Sequence, residues 1–256
     1  MAFLAVEKLT KNFGGLQAIN RLDWEVKPGK IVGLIGPNGA GKTTLFSMIN
    51  GFLRPNEGRI EWNGESLIGL RPDEISRKGI GTVFQRTLLF RGRTVFESLL
   101  VGCHREQRTG FWQALFNTAS YQGEEAVTRQ TALETIEFLG LSKWRDNLVD
   151  TLPFGAQRLL GIAQALMTKP QLLLLDEPFT GLNEGEMLEL LDTIREMRDQ
   201  GMTVILIEHH MKGVMSLCEQ IMVLNYGKKI AEGTPEDIAS NPRVIEAYLG
   251  SQTDVT

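Results

Sequence analysis

The chain is expected to adopt an α/β fold with a helical insertion, and three observations predict it. Short apolar runs, Ile31 to Ile35, Leu172 to Leu175 and Thr203 to Ile207, have the length and composition of buried strands. Segments with helical spacing stand between them, such as Thr43 to Asn50 and the face formed by Met187, Leu190, Leu191, Ile194 and Met197. From about Arg86 to Thr151 glycine thins out, and apolar residues recur at helical spacing: Val95, Leu99 and Leu100, then Ala132, Ile136 and Leu139.

The elements follow in order. Phe3, Ala5 and Glu7 alternate with Leu4 and Val6, as in a half-buried strand. Lys27-Pro-Gly-Lys30 is a turn that leads into the strand at Ile31. That strand ends in the glycine-rich Gly36 to Gly41, and the following helix, Thr43 to Asn50, is closed by Gly51. Arg59 to Trp62 followed by Asn63-Gly64 is a hairpin signal. In the helical region, 106–122 is the least regular stretch. After Thr151 the α/β rhythm returns with a helix from Leu159 to Met167, ended by Pro170. Gln220 to Asn225 and Lys229 to Glu232 form a closing hairpin around Tyr226-Gly227, and the polar tail Gln252 to Thr256 is expected to fray.

Composition excludes several classes. In 256 residues, 42% hydrophobic and 23% charged is a globular balance, not that of a disordered chain. No apolar run approaches the roughly 20 residues of a membrane-spanning helix. The N-terminus has no basic segment followed by an apolar one, so no secretory signal is expected. A net charge of −4 argues against a dedicated nucleic-acid binder. Cys103 and Cys218 form no CxxC pair and read as unpaired thiols.

The chemistry concentrates in two places. Gly36-Pro37-Asn38-Gly39-Ala40-Gly41-Lys42-Thr43-Thr44 fits GxxxxGK[ST] between a strand and a helix. Its glycines let backbone N–H groups curl around a phosphate, and the helix start adds a favourable dipole. Lys42 can reach β- and γ-phosphate oxygens, and the Thr43 hydroxyl can coordinate Mg²⁺. The Leu172 strand delivers Asp176 to its C-terminal end, where Asp176 can hold Mg²⁺ through water. Glu177 beside it can deprotonate an attacking water. His209 ends the Thr203 strand and could donate to a γ-phosphate; the plainer alternative is a surface histidine, and His209-His210 lacks a third ligand at metal-site spacing. Gln85 follows Gly81 to Phe84 where the helical region begins, either as a link between nucleotide and insertion or as a polar strand end.

With these residues in place, the chain resembles the ATP-binding subunits of ABC transporters over essentially its whole length. Within that family it is similar to the ATPases of branched-chain amino acid importers, through Leu152-Pro-Phe-Gly-Ala-Gln157, Thr180-Gly-Leu-Asn183, Ile207-Glu-His209 and the closing Asn241 to Gly250. The resemblance implies a P-loop NTPase with a RecA-like core, an antiparallel β subdomain and an inserted helical subdomain. It implies one domain over 1–256, with 1–85 and 158–256 as core and β subdomain and 86–157 as helical subdomain. Phe13 would stack on adenine, and Gly36 to Thr44 would bind the phosphates of ATP. Thr43, Gln85 and Asp176 would serve Mg²⁺, and Glu177, His209, Gln85 and Lys42 would be catalytic. Two ATPs would lie between two subunits, alike or different, each site completed by the signature segment of the other. That segment departs from LSGGQ: Pro153, Phe154 and Ala156 stand at the Ser, first Gly and Gln positions, and Gly155 remains to offer its N–H in trans. Asn183 stands where an Asp is more usual.

The resemblance further implies polytopic permease subunits as partners, with a solute-binding protein acting through them. It places the chain at the cytoplasmic face of the inner (plasma) membrane and assigns it no nucleic acid. The surface near Gln85, with Leu88, Leu89 and Phe90, would pass motion to the permease; those residues could equally be core. Export of lipid or lipopolysaccharide is the nearest alternative. A soluble ABC ATPase without a transport role and a small-molecule kinase are more remote.

Overall fold

A computed structural model describes residues 3–85, 89–103 and 119–250. Two sheets organise them. The first is antiparallel and contains β1 (Leu4–Phe13), β2 (Leu16–Val26), β4 (Glu57–Trp62) and β5 (Glu65–Ser66) in the order β2-β1-β4-β5. Leu4 faces Val26 on one side and Trp62 on the other, so the inward residues stack across three strands. Asn63 and Gly64 both take positive φ, 50° and 81°, the backbone that a tight two-residue hairpin requires.

The second sheet has six strands: β3 (Ile31–Ile35), β6 (Ile80–Val83), β7 (Leu172–Asp176), β8 (Thr203–Ile207), β9 (Gln220–Asn225) and β10 (Lys228–Gly233). Their order is β10-β9-β3-β8-β7-β6, and only the β9–β10 hairpin is antiparallel. The apolar runs are continuous because this sheet is covered on both faces. Alternate residues enter two different cores. Ile31, Leu173, Leu175, Val204 and Leu206 join one with the helices of the middle region. Val32, Leu34, Leu172, Leu174, Ile205 and Ile207 join the other with the antiparallel sheet.

The helices are α1 (Lys42–Ile49), α2 (Pro72–Arg77), α3 (Val95–Cys103), α4 (Ala119–Phe138), α5 (Phe154–Leu166), α6 (Glu184–Asp199), α7 (Met211–Leu217), α8 (Pro235–Ala239) and α9 (Pro242–Gly250). Val95, Leu99, Ala132, Ile136 and Leu139 pack into one core, as their spacing predicts. Thr94 and Glu97 cap α3 reciprocally, with N···O distances of 2.9 and 3.2 Å.

Two helix boundaries differ from expectation. α1 begins at Lys42, one residue early, and Asn50 is its C-cap. The helix expected at Leu159 begins at Phe154 instead, with Pro153 as N-cap at φ −56° and ψ 154°. Proline suits that backbone, and Ala156, Leu160 and Ala163 carry the buried face back to the new start. The helix is continuous through 157–158. Of the irregular stretch, 106–118 lie outside the described residues, as do Leu88 and the tail; 119–122 open α4. Among the described residues no helix is long and apolar enough to cross a membrane.

Candidate active site

The loop after β3 is held by its backbone. A Cβ on Gly36 would stand 2.0 Å from the Leu224 carbonyl oxygen, and one on Gly41 would stand 2.5 Å from that of Ala18. Both positions also have positive φ, 151° and 106°, so a side chain is excluded twice. The Gly227 N–H donates to Ala40 O at 2.9 Å, which fixes the loop to the β9–β10 turn. Lys42 folds back over the loop and donates from Nζ to Gly36 O at 2.6 Å and Pro37 O at 3.0 Å. No acidic residue lies in the first turn of α1, so its positive end is not neutralised there. Burial lowers the Lys42 pKa, opposed by the carboxylates of Glu177 and Asp176.

Those carboxylates stand at the C-terminal end of β7, where Asp176 pairs with Ile207. Burial, together with Glu177 and Glu208, holds the Asp176 carboxyl above its ordinary value; Lys42 and Arg158 oppose this. Glu177 has φ 48°, a strained conformation for a non-glycine residue, and its N–H donates to Ile207 O at 2.9 Å. Its Oε2 accepts from Gln85 Nε2 at 2.6 Å and from Thr180 Oγ1 at 3.3 Å. Its Oε1 lies 3.6 Å from His209 Nδ1.

Behind this cluster lie two charged residues that the sequence reading passed over. Glu208 is 0% exposed, and its carboxylate accepts the N–H groups of Phe179 at 2.8 Å, His209 at 3.1 Å and His210 at 3.2 Å. Arg158 is 3% exposed and donates to Gln85 O at 2.7 Å, with longer contacts of 3.5 Å to Phe84 O and Thr180 O. The available signal was a charge within an apolar stretch: Glu208 directly after a buried strand, Arg158 on the inward face of a helix. Tyr248 on α9 was also missed. It packs against the core, and burial pushes its phenol up to about 12, opposed by the Gly36 backbone N–H.

Lys42, Gln85, Asp176, Glu177 and His209 are therefore neighbours, with Thr43 and Thr44 in the adjoining first turn of α1. Asn38 and Gly39 form the exposed rim of the loop. Phe13 is half-exposed at the end of β1, with Lys11 Nζ 5.1 Å from its ring centre. Gly155 is in the first turn of α5, packed so closely on Glu186 that a Cβ would stand 2.5 Å from Oε1. His210 caps α7, its Nδ1 accepting from Gly213 N–H at 3.3 Å. Among the described residues no group of three His, Cys, Asp or Glu is placed to hold a metal. Cys218 is a free buried thiol, its pKa pushed up by burial; the Cys103 side chain is outside the description. Leu89 packs against the core and Phe90 is exposed.

Residues 19–180 match the ABC transporter family, and residues 228–254 match the branched-chain amino acid ATP-binding cassette transporter family. The chain is 44% identical over 248 residues to the high-affinity branched-chain amino acid transport ATP-binding protein BraF of Pseudomonas aeruginosa, covering 96% of this chain and 97% of that one. LivG of Escherichia coli, with the same description, is 43% identical over the same shares. The lipopolysaccharide export system ATP-binding protein LptB of Haemophilus influenzae is 34% identical over 98% of this chain and 99% of its own. The crystal structure of an ATP-binding cassette of an ABC transporter in its ADP conformation superposes with a TM-score of 0.84, at 31% identity over 98% of this chain and 99% of that one. The phosphate loop, the strand-end carboxylates and these likenesses over nearly the full length place the chain in the ABC transporter family, as one of its ATP-hydrolysing, nucleotide-binding subunits.

Proposed function

We propose that this chain hydrolyses ATP to power the import of branched-chain amino acids through separate permease subunits, working at the cytoplasmic face of the membrane. The observation that carries the reaction is Glu177, held by Gln85 and Thr180 beside Asp176 and within reach of Lys42. The solute is inferred from what the relatives at 43–44% identity are described as transporting.

In the proposed reaction, free backbone N–H groups of the loop Gly36 to Thr44, in which Pro37 has none, enclose the β-phosphate. Lys42 exchanges its loop carbonyls for β- and γ-phosphate oxygens, and the exposed Phe13 ring offers a face for adenine. Glu177 takes a proton from water as the water oxygen attacks the γ-phosphorus and the bond to the bridging oxygen breaks. His209, 3.6 Å from that carboxylate, donates to the γ-phosphate. The Thr43 hydroxyl, the Asp176 carboxylate and the Gln85 amide are hard oxygen donors, and Asp176 is a carboxylate crowded by two others, so the set suits Mg²⁺. Mg²⁺ there would offset charge on the phosphate oxygens.

A second ATPase subunit, alike or different, completes each site with its Gly155 N–H. Pro153 at the N-cap of α5 leaves Gly155 in the first helical turn, so the altered signature keeps that donor. The permease would dock on the groove of about 270 Å³ lined by Phe52, Ile75, Ile80, Phe84 and Thr168. Phe52 and Phe84 are both exposed there, edge to face at 5.5 Å, beside the Gln85 loop.

The test is leucine uptake into membrane vesicles carrying the chain with its neighbouring permeases. Uptake that depends on internal ATP and disappears with Glu177→Gln supports the reading. Purification of the chain with only soluble partners would refute it.

A further inference from the structure

The geometry points to Arg158 as the positioning residue for Glu177, holding the backbones of the two residues whose side chains grip its carboxylate. This rests on the reading of Glu177 as the base. Glu177 Oε2 accepts from Gln85 Nε2 at 2.6 Å and from Thr180 Oγ1 at 3.3 Å. The carbonyls of those same residues are both met by the Arg158 guanidinium, Nη1 to Gln85 O at 2.7 Å and Nη2 to Thr180 O at 3.5 Å. A planar, forked donor can span two separate loops in this way, and an ammonium point charge cannot.

The burial of Arg158 argues that the fork serves more than packing. It is 3% exposed, and its Nε has no hydrogen-bond partner among the described residues. A guanidinium removed from water and given, among the described residues, only carbonyl acceptors is a poor structural element compared with a leucine of similar reach. The carboxylates of Glu208, Asp176 and Glu177 offset its desolvation, which ties its charge to the site. The grip also has a second finger. The Phe154 ring lies 5.6 Å from the guanidinium, and a Cβ on Gly181 would stand 2.7 Å from that ring. Phe154 and Arg158, one turn apart on α5, therefore clasp residues 180–181 together. Gly155 lies between them on the same helix. A shift of α5 moves the Gln85 and Thr180 backbones with it, and through them the Glu177 carboxylate.

The test is steady-state ATP turnover of the full chain with Arg158→Lys, repeated in a Gln85→Ala background, with thermal melting of every variant. Arg158→Lys keeps the charge and loses the fork. It should lower kcat about tenfold or more while KM for ATP stays within about twofold. In the Gln85→Ala background the same change should cost less than about threefold, because the two residues act through one carboxylate. Unchanged kcat, a raised KM at constant kcat, or a full multiplicative loss in the Gln85→Ala background overturns the assignment. Arg158→Gln serves the same test if the lysine variant fails to fold. Glu177→Gln separates the two readings: if it turns over normally, the base is wrong. If it is inactive while Arg158→Lys is unimpaired, only the positioning role falls.

Discussion

The antiparallel sheet and the C-terminal ends of the parallel strands treat charge in opposite ways. In the antiparallel sheet Leu4, Val6, Trp24, Ile60 and Trp62 fill the interior, and charges stay outside. Its Glu7–Arg59 ion pair, at 3.0 Å, has both side chains more than half exposed. At the ends of β7 and β8, Glu208 is fully buried and Asp176 is crowded by two other carboxylates, while Arg158 is buried on the helix behind. The first region is built for stability by alternation alone. The second holds charges together at the expense of stability, which is the expected arrangement where charge is to be stabilised in a reaction.

Four substitutions test that contrast. Glu177→Gln should lower ATP turnover by about 10²–10⁴-fold, the range for a general base, with little change in melting temperature. A phosphate-release assay beside a melting curve decides it, and a large stability change would place Glu177 among the structural residues. Trp24→Ala should do the reverse. It should cost about 3–5 kcal/mol in urea unfolding, while turnover per correctly folded molecule stays near that of the wild type.

Asp176→Asn should raise the melting temperature of the nucleotide-free chain by about 2–4 °C while reducing Mg²⁺-dependent turnover. The sign follows from its raised pKa, caused first by burial and then by Glu177 and Glu208. A carboxyl whose pKa is higher folded than unfolded favours folding below its unfolded pKa, and that advantage is lost as pH rises through the folded value. The gain from Asn should therefore shrink as the melting buffer is made acidic. A gain that grows on acidification would contradict this account. The smallest effect is expected for Arg59→Ala, whose exposed pair should leave the melting curve unmoved within error.

Much of the site was legible because its parts are local. The phosphate loop is one uninterrupted stretch in which glycine spacing, lysine and the flanking strand and helix all declare themselves. Asp176 and Glu177 end an apolar run whose length alone marks a strand end. Asn63-Gly64 gave its hairpin for the same reason. The start of α5 was placed at Leu159, where the apolar run begins, and packing of Ala156 in the preceding turn carries the helix back to Phe154. Thr180 was seen as part of a family segment but not as a donor to Glu177. The strain at Glu177 is likewise invisible in the residue letters.

By itself the sequence determined the α/β alternation, the phosphate loop, the strand-end acids and the family, because each depends on neighbours within a few residues. Only the tertiary structure decided which charges share a carboxylate. Gln85, Arg158, Glu177 with Thr180, and Glu208 come from four segments, brought together by strand order and helix packing. Whether a charged residue is a solvated surface group or a buried strut depends on what packs over it. Arg158 and Glu208 changed meaning for that reason, from unremarked charges to the support behind the reacting residues.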